Sequence, residues 1–299
     1  MKLSVVISAY NGEKTIEECL KSVAKIADEI VVLDNSSTDS TYSLAKKYTE
    51  KIFKQKNNPL AIDLLKNLGF EKATGEWILC IDQDEYIEKE LEEEILKKLK
   101  EKPKVNGFSI PRKNYIFGRW IKYAGWYPDY QLRLFRRGKG KYEEKHVHEQ
   151  IKIAGEEEKL TNHIIHHNYN SIAQFLEKTI VYAKNEAREK LEKGYSFSYV
   201  DAIRFPLSEF LSRFFARKGY KDGFFGLMLS LLMAFYHFLI FAYIWEENKF
   251  KQLEEKEFIP EFEKEVEKVG KEFKFWFYEN KKIKANNFLK KIYLRLKKD

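Results

Sequence analysis

Apolar and polar positions follow two different periods along the first hundred residues. "LSVVISA" (3–9), "EIVVLD" (29–34), "KIFKQ" (51–55) and "EWILCI" (76–81) are short, β-branched or aromatic runs, which predicts strands. Between them, residues 14–26 repeat Ile16, Leu20 and Val23 at helical spacing, and Thr38 or Asp39 caps a helix through 48. A third helix, 60–73, aligns Leu60, Leu64, Leu65 and Leu68 on one face. This alternation predicts βαβ units, an α/β fold with a parallel sheet and helices on both sides. From about residue 105 the helices drop out, and "NGFSIPR", "YQLRLFRR", "HVHEQIKI" and "NHIIHHNY" predict strands that extend the parallel core into a mixed sheet. From Ser171 the chain reads as helical again, over 171–193 and 198–217, then through an apolar run. The expected organisation is an α/β domain over 1–170, a helical region over 171–249 with its apolar segment at 223–245, and a charged helical tail over 250–299.

Composition changes this picture little. The net charge of +8 is dispersed, and no zinc-finger spacing or other nucleic-acid signature accompanies it, so no nucleic-acid partner is expected. Cys19 and Cys80 lie among apolar neighbours and read as buried free thiols of a reducing compartment. Met1-Lys2 leads straight into a strand, with no signal-peptide pattern, which points to the cytoplasm.

The chemistry is expected at the strand ends, because ligands of open parallel sheets bind outside the carboxyl ends of the strands. Ser8-Ala9-Tyr10-Asn11, Asp34-Asn35 and Asp82-Gln83-Asp84 fall there. "SAYNGEKTI" is neither a Walker A loop nor a GxGxxG turn, which excludes P-loop and nicotinamide chemistry. An Asp-x-Asp pair leaving a strand suits a hard divalent cation that bridges to phosphate oxygens. The plain alternative is a solvated strand end followed by an acidic helix start at Glu85, Glu88 and Glu90.

"LSVVISAYNGEKTIEECLKSV", "EIVVLDNSSTDST" and "KATGEWILCIDQDE" together resemble the signature blocks of the inverting family 2 glycosyltransferases with a GT-A fold. "YPDYQLRLFRRG", "HVHEQI" and "HHNY" resemble the branch containing bacterial lipopolysaccharide-core β-glucosyltransferases, and the likeness covers residues 1–245. It implies a nucleotide-sugar donor, UDP-linked, with Ala9 and Tyr10 around the base and Asp34 on the base or ribose. It implies Mg2+ or Mn2+ at Asp84, with Asp82 as its companion nearer the ribose. Lys66 either approaches the diphosphate or faces solvent. Inversion requires a single in-line displacement, in which one carboxylate deprotonates the acceptor hydroxyl while a cation stabilises the leaving diphosphate. Glu149, in the "HE" block, is the expected base, and Asp129 the second choice. Arg133, Arg136 and Arg137 are candidates for the diphosphate or an anionic acceptor, with Arg133 and Arg137 on one strand face and Arg136 on the other. Five histidines cluster at 146–167 without cysteine partners or HExxH spacing, so a single one, His148 or His167, is expected to complete the metal sphere.

No charged residue lies between Asp222 and Glu246, a run long enough to span a bilayer. Gly226, Ser230, Ala234 and His237 form a small or polar stripe within it, and a single crossing would export a Lys-rich tail. "RFPLSEFLSRFFARKGYK" before it mixes Arg and Lys with Phe and Leu like an interfacial helix. The expectation is a cytoplasmic enzyme seated on the anionic inner leaflet with a lipid-linked acceptor; a homodimer interface and a true span are the alternatives. Two other functions are weighed against it. A sugar-nucleotide pyrophosphorylase requires a glycine-rich basic loop that "AYNGEKTI" does not supply, and a non-catalytic membrane scaffold has no need of Asp82, Asp84 and Glu149 together.

Overall fold

The computed structural model describes residues 1–58, 62–143 and 150–284. The apolar runs of the N-terminal half become β1 (Leu3–Ala9), β2 (Glu29–Asp34), β3 (Ile52–Lys54) and β4 (Trp77–Asp82), separated by α1 (Ile16–Val23), α2 (Thr41–Ala45) and α3 (Ile62–Lys72). β5 (Glu85–Ile87) and α4 (Lys89–Lys100) follow, then β6 (Gly107–Ile116), β7 (Arg119–Trp120), β8 (Asp129–Arg136), β9 (Gly140–Lys141), β10 (Lys152–Ile153), β11 (Glu157–Lys159) and β12 (Ile164–Tyr169). The C-terminal helices are α5 (Ile172–Glu192), α6 (Asp201–Leu211), α7 (Phe224–Glu247) and α8 (Glu255–Lys284). Leu60 and the first four residues of "HVHEQIKI" lie outside the described residues.

Among the described residues, ten strands form one mixed sheet with the main order β3-β2-β1-β4-β8-β6-β12-β5, while β9 and β10 pair separately. β1, β2, β3 and β4 run parallel, and β8 turns antiparallel against β4. The strands bury both faces because alternate residues feed two cores. Val5, Ile7, Leu79 and Ile81 pack with Ile16, Leu20 and Val23 of α1 and Leu91, Ile95 and Leu99 of α4. Val6, Val31, Leu33, Ile78 and Cys80 pack with Leu64, Leu68 and Phe70 of α3 on the other side. Gly69 permits that approach, since a Cβ there would stand 2.4 Å from Val6 Cγ1.

The chain divides into two units: Met1–Trp120 with Trp126–Phe175, and Ile121–Gly125 with the chain from Leu176 onward. Within the second, Ala183 and Ala187 of α5 pack against Ile240 and Ile244 of α7, and Phe210 and Leu211 of α6 against Ala234. Two sequence expectations change here. Residues 85–87 form a strand on β12 and the helix starts only at Lys89, because Glu85 is drawn into the interior by two arginines. Two of the three arginines of "RFPLSEFLSRFFARKGYK" are paired within the protein: Arg204, half-buried, binds Asp201 and Glu265, and Arg213 binds Glu209 and the Ala124 carbonyl, while Arg217 stays exposed.

Candidate functional site

The chain leaves β1 for β2 on one side and returns at β4 on the other, so a crevice opens at this topological switch point. Register places Ala9 beside Asp34 and Ser8 beside Asp82. Gln83 closes the β1 loop: Tyr10 N donates to its Oε1 at 2.9 Å and its Nε2 donates to Tyr10 O at 2.9 Å. That exchange requires glycine at position 12, where a Cβ would meet Gln83 Oε1 at 2.0 Å. The Tyr10 ring stays 45% exposed and offers a flat surface. Asp34 is fully buried; its Oδ1 accepts from Ser37 N at 3.0 Å, whereas its Oδ2 has no hydrogen-bond partner. An unpaired buried carboxylate oxygen is costly, so it marks a place where a ligand donor belongs. Asn35 is a brace: its Nδ2 donates to Ser8 Oγ at 3.0 Å and its Oδ1 accepts from Gln55 at 2.7 Å.

Asp82 sits in an ionic chain. Its Oδ1 meets Lys66 Nζ at 2.6 Å and its Oδ2 accepts from Arg133 at 2.8 Å. Lys66 is therefore buried, held also by Asp63 at 3.0 Å, and does not face solvent. Burial opposes the charge of both Lys66 and Asp82, yet their contact prevails. It holds the ammonium above its ordinary value and, with Arg133, holds the Asp82 carboxyl well below the usual carboxylate range. Glu85 extends the chain: it accepts the Asp82 N–H at 2.9 Å, Arg133 at 3.0 Å and Arg112 at 3.2 Å. Sequence reading placed Glu85 only at an acidic helix start; its burial beside two arginines is what the pattern left unread. Arg112 closes the chain on Asp129 at 2.6 Å, and Gln131 and Asn114 bind the same carboxylate. Burial raises the Asp129 carboxyl, but Arg112 outweighs it, and the net shift is downward. Arg133 thus lies inside the site. Arg136 lies across from Trp77, at the other end of β4, and Arg137 binds the Gly75 carbonyl.

Asp84 has a different neighbour. His166 Nε2 lies 3.8 Å from Asp84 Oδ2. Asn114 gives its amide hydrogens to the Trp126 carbonyl and Asp129, so its Oδ1 faces His166 Nδ1, at 2.7 Å. Nδ1 must then be the donor, so Nε2 is the ring nitrogen turned toward Asp84 and the one a metal would use. His167 instead stacks between Tyr86 and Tyr115, with ring centres 5.6 Å from each. His148 and Glu149 lie outside the described residues. An oxygen and an imidazole nitrogen suit Mn2+, and the oxygen suits Mg2+. The described residues hold no group of three or more His, Cys, Asp or Glu that could bind a metal, so further ligands would have to come from a bound phosphate or elsewhere.

An open α/β sheet with acids and an aromatic ring gathered at its switch point places a ligand site there. The chain belongs to glycosyl transferase family 2, whose model matches residues 4–154, and it has the GT-A architecture. It is similar to the lipopolysaccharide core biosynthesis glycosyltransferase LpsC of Rhizobium meliloti, 27% identical over 84% of this chain and 94% of that one. Over a shorter stretch it is similar to the poly(ribitol-phosphate) beta-N-acetylglucosaminyltransferase TarS of Staphylococcus aureus, 37% identical over 30% of this chain and 17% of that one. The crystal structure of S. aureus TarS 1–349 in complex with UDP-GlcNAc is 18% identical, covers 85% of this chain and 93% of that one, and superposes with a TM-score of 0.45.

Proposed function

We propose that this glycosyltransferase moves a hexose from a UDP-linked sugar to a lipid-borne acceptor of the lipopolysaccharide-core kind, inverting the anomeric carbon. The observation that carries the reading is the unpartnered Asp34 oxygen at the end of β2, with the Asp84–His166 pair just past the end of β4 in the same parallel sheet. Family membership supplies the reaction class, and the likeness to LpsC over most of the chain supports the acceptor class.

In this reading Asp34 accepts a hydrogen bond from the base or ribose, beside Ala9 and the Tyr10 ring. Asp84 and His166 would hold Mg2+ or Mn2+, which when bound neutralises the leaving diphosphate. His166 takes the place expected of His167, which sits against Tyr86 and Tyr115, while His148 lies outside the described residues; Asp82 leaves the metal set in this reading because two cations already occupy its oxygens. Lys66 and Arg133 are not free phosphate clamps either. With Arg112 they are three cations facing the four carboxylates of Asp63, Asp82, Glu85 and Asp129, so the cluster has no positive charge to spare. Within this cluster, among the described residues, Arg133 Nε has no partner, which favours a hydrogen bond from it to the sugar-nucleotide. Asp129, held ionised by Arg112, gains little by taking a proton, which favours Glu149 as the base. Glu149 receives the acceptor hydroxyl proton as that oxygen attacks the face of the anomeric carbon opposite the diphosphate. A lipid-borne acceptor places the enzyme at the cytoplasmic face of the inner membrane.

Incubation with UDP-α-hexoses and a lipid-linked oligosaccharide, read by proton NMR, tests the reading. UDP and a β-linked product are expected; an α-linked product contradicts inversion. Glu149→Gln should keep UDP affinity and lose about a hundred- to ten-thousand-fold in transfer rate. Full activity in that variant would assign the base elsewhere.

A further inference from the structure

α7 has two unlike faces. Gly226, Leu229, Ser230, Ala234, Ile240, Phe241 and Ile244 are buried against its neighbours. Phe224, Met228, Leu231, Phe235, Phe238 and Trp245 are exposed, from 37% for Met228 and Trp245 to 72% for Phe224. Their intervals of four, three, four, three and seven residues keep them on one line. Nothing on that line needs water, since the one polar atom, Trp245 Nε1, donates to the Lys251 carbonyl at 2.8 Å. The helix is about 36 Å long, so the apolar strip exceeds what a soluble monomer ordinarily leaves uncovered.

We propose that this strip seats the protein on an anionic lipid bilayer, with α7 lying in the plane of the interface. Four observations choose this occupant. The half-buried rows beside the strip, Phe225, Leu232 and Leu239, are also apolar, giving a broad face rather than the narrow, charge-bordered seam of a paired helix. Exposed cations stand at both ends, Arg217, Lys218 and Lys221 before the helix and Lys249 and Lys251 after it, against Glu246 and Glu247. At one end the Trp245 and Phe250 rings meet at 5.1 Å, both exposed, and tryptophan is an aromatic type that prefers the headgroup level. The far face excludes a span: Tyr236 donates to Glu186 at 2.6 Å and His237 lies 3.7 Å from Glu209, so crossing would draw these carboxylates into hydrocarbon. α8 also exposes Ile259, Phe262 and Val266, with Glu261, Glu263 and Glu267 between them that the same lipid would repel, and further along Phe273, Phe275 and Phe277, a shorter row than that of α7. The seat deepens the proposed function and rests on it for its purpose, delivery of the enzyme to a lipid-borne acceptor.

Flotation of the full-length protein with phosphatidylethanolamine–phosphatidylglycerol vesicles, without donor or acceptor, tests the seat alone. The wild type is expected to float, less so at high salt. Leu231→Glu with Phe235→Glu should weaken partitioning at least about tenfold while the thermal melt and UDP titration stay as in wild type. Lys249→Glu with Lys251→Glu, off the apolar strip, should weaken it through charge alone. A wild type that stays in the dense fraction overturns the proposal, as does a Leu231→Glu/Phe235→Glu variant that floats equally well. A wild-type dimer by light scattering that this variant dissolves, with neither protein floating, assigns the strip to a second copy and overturns it too. A protein that floats yet transfers nothing to lipid-linked acceptors upholds the seat and contradicts only the acceptor reading.

Discussion

Asp82 and Asp84 are two residues apart and live in opposite environments. Asp82 is clamped by Lys66 and Arg133, and Asp84 faces His166 Nε2. Removing one partner of a buried ionic cluster strands the others, so Asp82→Asn should cost about 3–5 kcal/mol in urea unfolding. Asp84→Asn should cost no more than about 1 kcal/mol there and act on function instead. Asp82 and Glu85 share Arg133, so Asp82→Asn and Glu85→Gln should be non-additive by more than about 0.5 kcal/mol in a double-mutant cycle; additivity would mean the chain of contacts carries no coupling. The Asp-x-Asp pair was legible from sequence, but its division of labour was not. Arg133 lies 51 residues from Asp82, and only sheet register brings them together. Register also decides between His166 and His167, since neighbouring strand residues point to opposite faces and one step exchanges them.

At the scale of elements, β1, β2 and β4 could be read because strands buried on both faces must be apolar throughout. β5 could not: three residues after a run of acids imitate a helix start, and their strand state depends on arginines from β6 and β8. The same limit applies to Arg204 of α6 and to Arg213 just after it, which read as lipid-facing from sequence but pair with Glu265 and Glu209. Glu29 shows how elements are tied at the other end of the sheet. It accepts from Ser4 Oγ at 2.5 Å and from Thr74 N and Oγ1 at 2.8 and 2.9 Å, and it pairs with Lys51. Burial pushes its carboxyl up, but Lys51, Ser4 and Thr74 bring it down from 4.5 to about 2. A carboxyl depressed by folding stabilises the protein above its unfolded value, and that contribution fades as pH falls from 4.5 towards about 2. Glu29→Gln should therefore melt lower at neutral pH and lose less stability over that acid interval. An acid limb as steep as that of wild type would show that Glu29 does not carry it.

At the scale of the molecule, the α/β class and the rim followed from the alternation of strands and helices, because a parallel sheet gathers its strand ends whatever the side chains are. The exposed strip of α7 did not follow. Its 23-residue uncharged run fits a span, a core helix and an interfacial helix equally, and only the packing of its other face separates them. The claim on which the account turns is that the rim binds a nucleoside diphosphate through Asp84 and a divalent cation. Calorimetric titration of UDP into wild type and Asp84→Asn, each with and without Mn2+, tests it directly. The account predicts UDP binding by wild type that depends on the metal, weaker binding of GDP and CMP, and loss of the metal-dependent part in Asp84→Asn. Absence of nucleotide binding by wild type under either condition, or metal-dependent affinity unchanged in Asp84→Asn, would contradict it.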